Sequence, residues 1–407
     1  MMYEQHFLDR NIAYTDPEYV MFVPKYKDYE SDNVHLHVVD HPQFGGLIAF
    51  WTQSTIEGAG DNHAMMSTSK DGGKTWSEAK FIIGAKPSAD KTEKQAHWAF
   101  PAVSASGRIY LFYYREADRV IYNRLITGIF SCVYSDDFGQ TWSESYDVPL
   151  RETPFDKHGQ LQDNCCYQIP RRFSDGKYLF GYTKYTGLPY DNGVDASDPA
   201  AVRVDDYQDT RLYFARLENL DEDPLPCDLK ITNLPDDEMG LSVQQGKNGS
   251  CAQEACIVQL PDGRLLTTLR NIRGCVYYAV SQDMGHTWSA PEPMRFDDGE
   301  PIAHPLSPCP IYRLEENRYV LLFHGAASDN VWGHRNPIRK VYGVYDPLSH
   351  QPIRFAKGSD RVYMELPEEG RGPGQFELAM YGCYVKQDGK DILWYPDRKF
   401  FLLGKEL

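Results

Sequence analysis

Six times along the chain a turn leads into a short, almost wholly apolar run. The runs are Gly46 to Trp51, Gly107 to Tyr114, Gly176 to Tyr182, Gly263 to Leu269, Asn317 to Phe323 and Gly389 to Tyr395. Asp stands immediately before the glycine at 175, 262 and 388. Runs of this length bounded by turn residues and rich in aromatic and β-branched side chains read as buried strands. A second strand-like segment precedes each. It is the alternating stretch Val34 to Val39 in the first case, and then residues 99–103, 166–169, 255–259, 309–312 and 383–385. The run starts lie 61, 69, 87, 54 and 72 residues apart, from 46, 107, 176, 263, 317 and 389. Self-similarity on that scale is the mark of a repeat architecture. No segment keeps a 3.6-residue period for three turns. The pattern therefore predicts an all-β chain, a six-bladed β-propeller with four-stranded antiparallel blades, forming a single domain over 1–407. Tyr19 to Val23, set between Pro17 and Pro24, is expected as the N-terminal strand that closes the last blade.

A polar motif is laid over this apolar pattern. Ser69 to Trp76, Ser135 to Trp142 and Ser281 to Trp288 each read S-x-D-x-G-x-T-W. An Asp carboxylate can accept from backbone amides a few residues on, Gly supplies a positive φ, and Trp can fold back as an apolar plug. These turns are expected between the third and fourth strands of blades one, two and four. Degenerate turns near Leu217-Glu218-Asn219 and Tyr345-Asp346-Pro347 would serve blades three and five. The longest interval holds the acidic stretch 190–206, expected as a solvated insertion; calcium binding is an alternative for it, though its spacing matches no EF-hand.

Composition narrows the partner. The formal net charge is −16, which argues against nucleic acid and anionic membranes because no basic field offsets phosphate. An acidic sugar stays compatible, since a site can be locally basic. The nine cysteines lack metal-ligand spacing and are expected as free thiols. No metal and no cofactor are expected. Met1 to Asp16 has no signal-peptide core and no run reaches membrane length, so a cytoplasmic location is expected. A mature secreted chain without its leader would read alike.

In a propeller, side chains at the ends of the inner strands converge near the axis. That places His35, His37, His97, Asn164, Gln168, Glu254, Ser307 and Tyr381 among the candidates. Strand ends and following loops add Glu57, Asp61, Arg115, Arg270, Arg335 and Arg339.

The three turn repeats resemble the Asp boxes, or BNR repeats, of the sialidase superfamily. The segment Glu254 to Arg270, followed by the turn at Ser281, is similar to the fourth-blade region of bacterial exo-sialidases. The resemblance implies that Glu254 activates a nucleophile and that Arg270 grips the substrate carboxylate. Tyr381-Gly-Cys-Tyr-Val-Lys-Gln-Asp-Gly389 resembles the segment carrying the family's nucleophilic Tyr, which places that role on Tyr381. Arg339, or Arg335, would supply a further carboxylate grip. Glu57 and Asp61, in the loop from Gln53 to Asn62, are the candidates for acid/base. One departure is plain. The family opens on an Arg-Ile-Pro motif whose Arg is the first carboxylate grip, and the matching strand here, Asn33-Val-His-Leu-His37, has no Arg. His35, His37 and His97 stand there instead, which points to a site rebuilt for another sugar.

The expected function is an exo-acting glycoside hydrolase of sialidase-like type that releases a terminal acidic sugar from a carbohydrate partner. Two alternatives stand beside it. One is a polysaccharide lyase acting on a uronic acid, with His97 or a Tyr as base. The other is a non-catalytic glycan-binding propeller. Each residue also has a structural alternative: a hairpin-end ion pair for Glu254, a brace between blades for Arg270, core packing for Tyr381 and a hydrogen-bonded structural role for His97. The sequence leaves the oligomeric state open.

Overall fold

The computed structural model describes residues 2–57, 59–85, 94–116, 120–121, 124–125, 127–156, 163–189, 208–245, 249–326, 335–367, 378 and 380–407. Its strands form a six-bladed β-propeller of antiparallel blades. Blade I runs Asp32–His41, Gly46–Ser54, His63–Ser69 and Lys80–Gly84. Blade II is His97–Val103, Ile109–Arg115, Ile129–Ser135 and Tyr146–Asp147. Blade III is Asn164–Cys166, Tyr178–Pro189, Gln208–Leu217 and Ile231–Leu234. Blade IV is Gln253–Gln259, Leu265–Arg270, Tyr277–Ser281 and Glu292–Pro293. Blade V is Ile311–Arg313, Arg318–Phe323, Ile338–Tyr345 and Ile353–Phe355. Blade VI is Cys383–Gln387, Lys390–Asp397 and Phe401–Glu406, and its fourth strand is the N-terminal Tyr19–Phe22, with Tyr19 opposite Gly404. Two compact units emerge from the contacts. One holds Met1–Pro149, Glu218–Lys230 and Glu365–Leu407, with blades VI, I and II. The other holds Leu150–Leu217 and Ile231–Met364, with blades III, IV and V.

The six apolar runs are the second strands, and their burial explains why they do not alternate. Every residue from Leu47 to Ser54 is buried, and so is every residue from Ile109 to Tyr114. Leu47, Ala49 and Trp51 pack with Val385, Ile392 and Trp394 of blade VI. Ile48 and Phe50, on the opposite face, pack with Ala99, Ile109, Leu111 and Val133 of blade II. A strand covered on both faces has no polar side to show. The fourth strand of blade I is more open: Lys80 and Phe81 are exposed. In the other unit Leu179, Phe214 and Leu234 of blade III meet Ala255, Ile257 and Leu265 of blade IV in the same manner. Each Leu, Ile, Val or Phe among them contributes about 1.5–3 kcal/mol of transfer free energy.

The three S-x-D-x-G-x-T-W turns join third and fourth strands of blades I, II and IV, and their bonding repeats. Asp71 accepts from the Thr75 amide at 2.9 Å and hydroxyl at 2.6 Å, and Ser69 accepts from the Gly73 amide at 2.9 Å. Asp137 accepts from the Thr141 amide and hydroxyl at 2.8 and 2.6 Å, and Asp283 does the same with Thr287. The Thr75 hydroxyl and amide hold the Asp71 carboxyl down at about 2. Each Trp lies on the preceding blade. Trp76 meets Trp394 edge-on at 5.3 Å, Trp142 meets Phe50 at 6.3 Å, and Trp288 stacks on Phe214 at 4.7 Å. Leu217–Asn219 and Tyr345–Pro347 link third and fourth strands of blades III and V, where the degenerate turns were expected.

Proline moves two strand starts. Blade III pairs through Asn164–Cys166 and resumes at Arg171–Arg172, where residues 166–169 are the expected strand. Pro170 has no N–H to donate. Pro308 and Pro310 likewise bracket Cys309, and blade V begins at Ile311. A two-turn helix, Gln5–Ile12, precedes the blades. All nine cysteines are free thiols. Among the described residues, no helix is long and apolar enough to cross a membrane, and no group of three or more His, Cys, Asp or Glu could hold a metal ion. The acidic stretch 190–206 lies outside the described residues.

Gly73 and Gly263 separate two costs of adding a methyl. Both have positive φ, +82° and +92°, but a Cβ on Gly73 would lie 2.6 Å from the Trp394 ring, whereas one on Gly263 would meet nothing within 4 Å. Gly263→Ala is expected to lose about 1–2 kcal/mol from backbone conformation alone, and Gly73→Ala a further 1–3 kcal/mol, roughly, from overpacking. Denaturant melts of the two variants check the difference.

Candidate functional site

A fully paired strand sends side chains only to its two faces, so aiming one elsewhere requires a break in the ladder. Three first strands contain such a break, near their starts. Blade I slips register between Val34 and His37, blade II between His97 and Phe100, and blade IV between Gln253 and Cys256. Each break carries one non-glycine residue with left-handed backbone: His35 at φ 54°, Trp98 at 48° and Glu254 at 49°. Backbone of this kind costs roughly 1–3 kcal/mol and persists where its surroundings over-determine it.

In the unit with blades VI, I and II, the breaks of blades I and II assemble an aromatic and charged cluster. The His35 ring lies 5.0 Å from Tyr381 and meets Trp98 edge-on at 6.2 Å. His97 lies 5.3 Å from Trp98. Tyr381 precedes the first strand of blade VI, and its carbonyl accepts from the Leu36 amide at 3.0 Å. Tyr381, His35 and His37 are all buried. Burial, helped by the charges of His37, Lys399 and His97, pushes the His35 imidazole well below its ordinary pKa, so the ring is neutral. Among the described residues, His35 Nδ1 has no hydrogen-bond partner.

Lys399 reaches this cluster from the turn between the second and third strands of blade VI. Its Nζ lies 5.5 Å from the centre of the Tyr381 ring and 2.6 Å from Glu57 Oε2. The lysine side chain is 8% exposed and that of Glu57 66%, so the carboxylate caps the cation from the solvent side. Burial works against the charge on Lys399, yet Glu57, Tyr381 and Asp32 together raise its pKa. Asp32 is buried beneath, taking a hydrogen bond from Ser54 at 3.2 Å, and burial pushes its carboxyl up to about 6. Asp61 holds the same loop by a different bond: both its oxygens accept from the Thr55 amide at 3.2 Å, and the Thr55 hydroxyl also donates to it.

In the unit with blades III, IV and V, Glu254 and Arg270 form an ion pair. Arg270 Nη1 donates to Glu254 Oε1 at 3.0 Å, with side chains 13% and 10% exposed. The pair spans the start of the first strand and the end of the second, where Gln253 stands opposite Arg270. The Glu254 amide donates to Thr183 Oγ1 at 2.9 Å. Arg339 donates to Asp360 at 2.6 Å, and Arg335, buried, donates to the Leu306 carbonyl at 2.8 Å. Gln168 spends its amide on blade IV, accepting from the Ile257 amide at 2.9 Å and donating to Cys256 Sγ at 2.6 Å. Ser307 contacts His324 at 3.2 Å, and Arg115, in the other unit, pairs with Asp147 at 2.7 Å.

The structure thus joins Tyr381, His35, His97 and Glu57 in one cluster, and Glu254 with Arg270 in another. Sequence reasoning missed Trp98, Asp32 and Lys399. Trp98 follows His97 directly and was legible as its neighbour. Lys399 was not, because Arg398 and Lys399 both adopt left-handed backbone, φ 54° each, in a turn that ordinarily takes Asn-Gly.

Several known proteins resemble the chain. Residues 45–300 match the family described as BNR repeat-like domain. No curated protein matches it in sequence. Among solved structures it is similar to a protein of unknown function from Dyadobacter fermentans, at TM-score 0.63 and 14% identity over 96% of each chain. It is also similar to a leech intramolecular trans-sialidase complexed with 2,7-anhydro-Neu5Ac, at TM-score 0.62 and 13% identity over 97% of this chain and 70% of that one. A third is the intramolecular trans-sialidase from Ruminococcus gnavus in complex with oseltamivir carboxylate, at TM-score 0.60 and 13% identity over 95% and 96%. At such identities the likeness is one of fold.

Asp32 yields a pH signature. Its carboxyl sits at about 6 in the folded protein, against an ordinary value near 4. Between those values the folded state keeps a proton that the unfolded chain has released, so stability falls as pH climbs through the window. Asp32→Asn carries no such proton. It is expected to exceed the wild type in stability at pH 7 by up to about 3 kcal/mol, the gap closing near pH 4. Chemical denaturation at the two pH values checks the sign.

Proposed function

We propose, from the premise that this chain belongs to the BNR repeat-like domain family, that it is an exo-acting glycoside hydrolase of sialidase-like type, releasing a terminal acidic sugar from a glycan. The observation that carries the reading is the surrounding of Tyr381: a buried phenol against the neutral His35 ring, with the Lys399 cation over it. A buried tyrosine whose only task is packing does not need a buried charge beside it, and convergent titratable groups favour a site. The sialidase-superfamily fold agrees with this class of activity.

A sugar carbon that bears a carboxylate repels an anionic nucleophile, and a neutral phenol avoids that repulsion. In the proposed reaction the Tyr381 oxygen bonds to the anomeric carbon while its proton passes to a general base, the role that the resemblance alone gives to Glu254, since a phenol of ordinary pKa near 10 needs one. The glycosidic C–O bond breaks, and the departing oxygen takes a proton from Glu57 or Asp61, which acts in its protonated form and, for Glu57, away from Lys399. Water then enters, giving a proton back to that carboxylate. The bond to Tyr381 breaks, and the phenol recovers its proton from the general base. Arg270, Arg335 and Arg339 are the candidate anion grips; Arg270 and Arg339 already hold carboxylates, so they would serve by exchange.

One observation favours a second reading, a lyase acting on a uronic acid. The neutral His35 has a ring nitrogen without a described partner, and His97 stands across Trp98 from it. Either imidazole suits removal of a proton beside a carboxylate.

Mass spectrometry of products from sialylated and uronate-bearing glycans separates the readings. The hydrolase adds water to the released sugar; the lyase leaves an unsaturated sugar and adds none. Tyr381→Phe is expected to cut hydrolytic turnover by about a thousandfold or more while leaving glycan binding in place. Retained turnover would remove Tyr381 from the nucleophile role.

A further inference from the structure

Lys399 belongs to a turn that a hairpin does not ordinarily make from such residues. The Phe400 amide donates to the Asp397 carbonyl at 2.9 Å, closing a two-residue turn between the second and third strands of blade VI. Its two central residues, Arg398 and Lys399, both sit at φ 54°. For side chains other than Gly, Asn or Asp this backbone costs roughly 1–2 kcal/mol per residue. The strain is held in place from below. Arg398 is fully buried and forks onto Asp397, with Nε to Oδ1 at 3.1 Å and Nη2 to Oδ2 at 2.7 Å. It also donates to the Asn11 side chain at 3.1 Å and to the Asn11 carbonyl at 2.6 Å, so the N-terminal helix clamps the turn. The Asn33 amide donates to the Lys399 carbonyl at 2.6 Å, and the Asn33 side chain donates to the Phe400 carbonyl at 2.9 Å. All this buried polar structure fixes where one ammonium points. It points at Tyr381, and its cap is a carboxylate that stands mostly in solvent.

We propose that Lys399 is the specificity-determining cation of this site, that Glu57 occupies it as a surrogate for the acidic group of the sugar, and that substrate binds by exchanging its own carboxylate for that of Glu57. The inference rests on the reading of the substrate as an acidic sugar and supplies a positive charge where blade I has no arginine. An exchange of one carboxylate for another leaves the buried ammonium paired before and after, so the large penalty of an unpaired buried charge is never incurred. Glu57 is suited to leave because its side chain regains water when it lets go. Asp32 is not, being buried and bonded to Ser54, and it remains as a fixed counter-charge. A neutral sugar offers nothing to replace Glu57 and is rejected by the closed pair.

The test is calorimetric titration with two probe pairs, N-acetylneuraminic acid and glucuronic acid, each against its methyl ester. The wild type is expected to bind one free acid at least about tenfold more tightly than its ester. Lys399→Met, close in volume and uncharged, is expected to lose that preference. Glu57→Gln removes the competing carboxylate and is expected to tighten the acid several-fold, and by more than it tightens the ester. Glu57 is surface-exposed, so this variant reads the proposal even where Lys399→Met does not fold. An undiminished preference in Lys399→Met, weaker acid binding in Glu57→Gln, or equal or undetectable binding of acid and ester by the wild type overturns the proposal. Product analysis keeps the two readings apart. Turnover without acid preference removes the exchange and leaves the hydrolase; acid preference without turnover does the opposite.

Discussion

Pairing of a strand in a regular ladder and burial of it on both faces leave its side chains no freedom of direction. Everything that distinguishes this propeller from a stack of inert sheets follows from how the chain escapes that constraint. The second strands obey it fully, as the unbroken burial from Ile109 to Tyr114 shows. The first strands of blades I, II and IV break it once each, at His35, Trp98 and Glu254, where the register slips and the backbone turns left-handed. Blade VI breaks it at its second turn, through Arg398 and Lys399. The stiff apolar layers are what allow these five strained residues to persist, because the surrounding packing would be lost before the strain relaxed.

The blades were legible because their causes are local. A run such as Gly107 to Tyr114 announces a strand buried on both faces, and the Ser, Asp, Gly, Thr and Trp of each repeated turn form a closed set of hydrogen bonds within eight residues. Even the plug role of Trp was readable, although not its target on the preceding blade. Two expected strands were misplaced because proline acts on the ladder rather than on hydrophobicity; Pro170 directly follows the stretch 166–169, and Pro310 lies inside 309–312.

The site was legible only in part, and for a physical reason. Tyr381, His35 and Glu57 could be proposed from their positions at strand ends and from resemblance. Their meeting with Lys399 could not, since that contact joins residues 57 and 399 across two blades. Nothing in Asp397-Arg398-Lys399-Phe400 signals a turn, because its left-handed residues are held by Asn11, a residue far away in sequence. Candidate ion grips show the same limit from the other side. Arg339 could be proposed as a carboxylate grip from its segment, but only the structure reveals Asp360 on its guanidinium.

The closing strand has a consequence for how the molecule is made. Tyr19–Phe22 emerges from the ribosome before any blade, yet its sole described sheet partner is the last strand of all, Phe401–Glu406. Until that strand appears, the Tyr19 ring has no Trp394 to cover it, and the Trp76 plug of blade I faces the same empty place. Blade I can pair its own four strands early, but the apolar face formed by Leu47, Ala49 and Trp51 waits for Ile392 and Trp394. The nascent chain therefore carries an uncovered hydrophobic surface until Lys390–Asp397 and Phe401–Glu406 have been made, and burial of that surface waits for those strands.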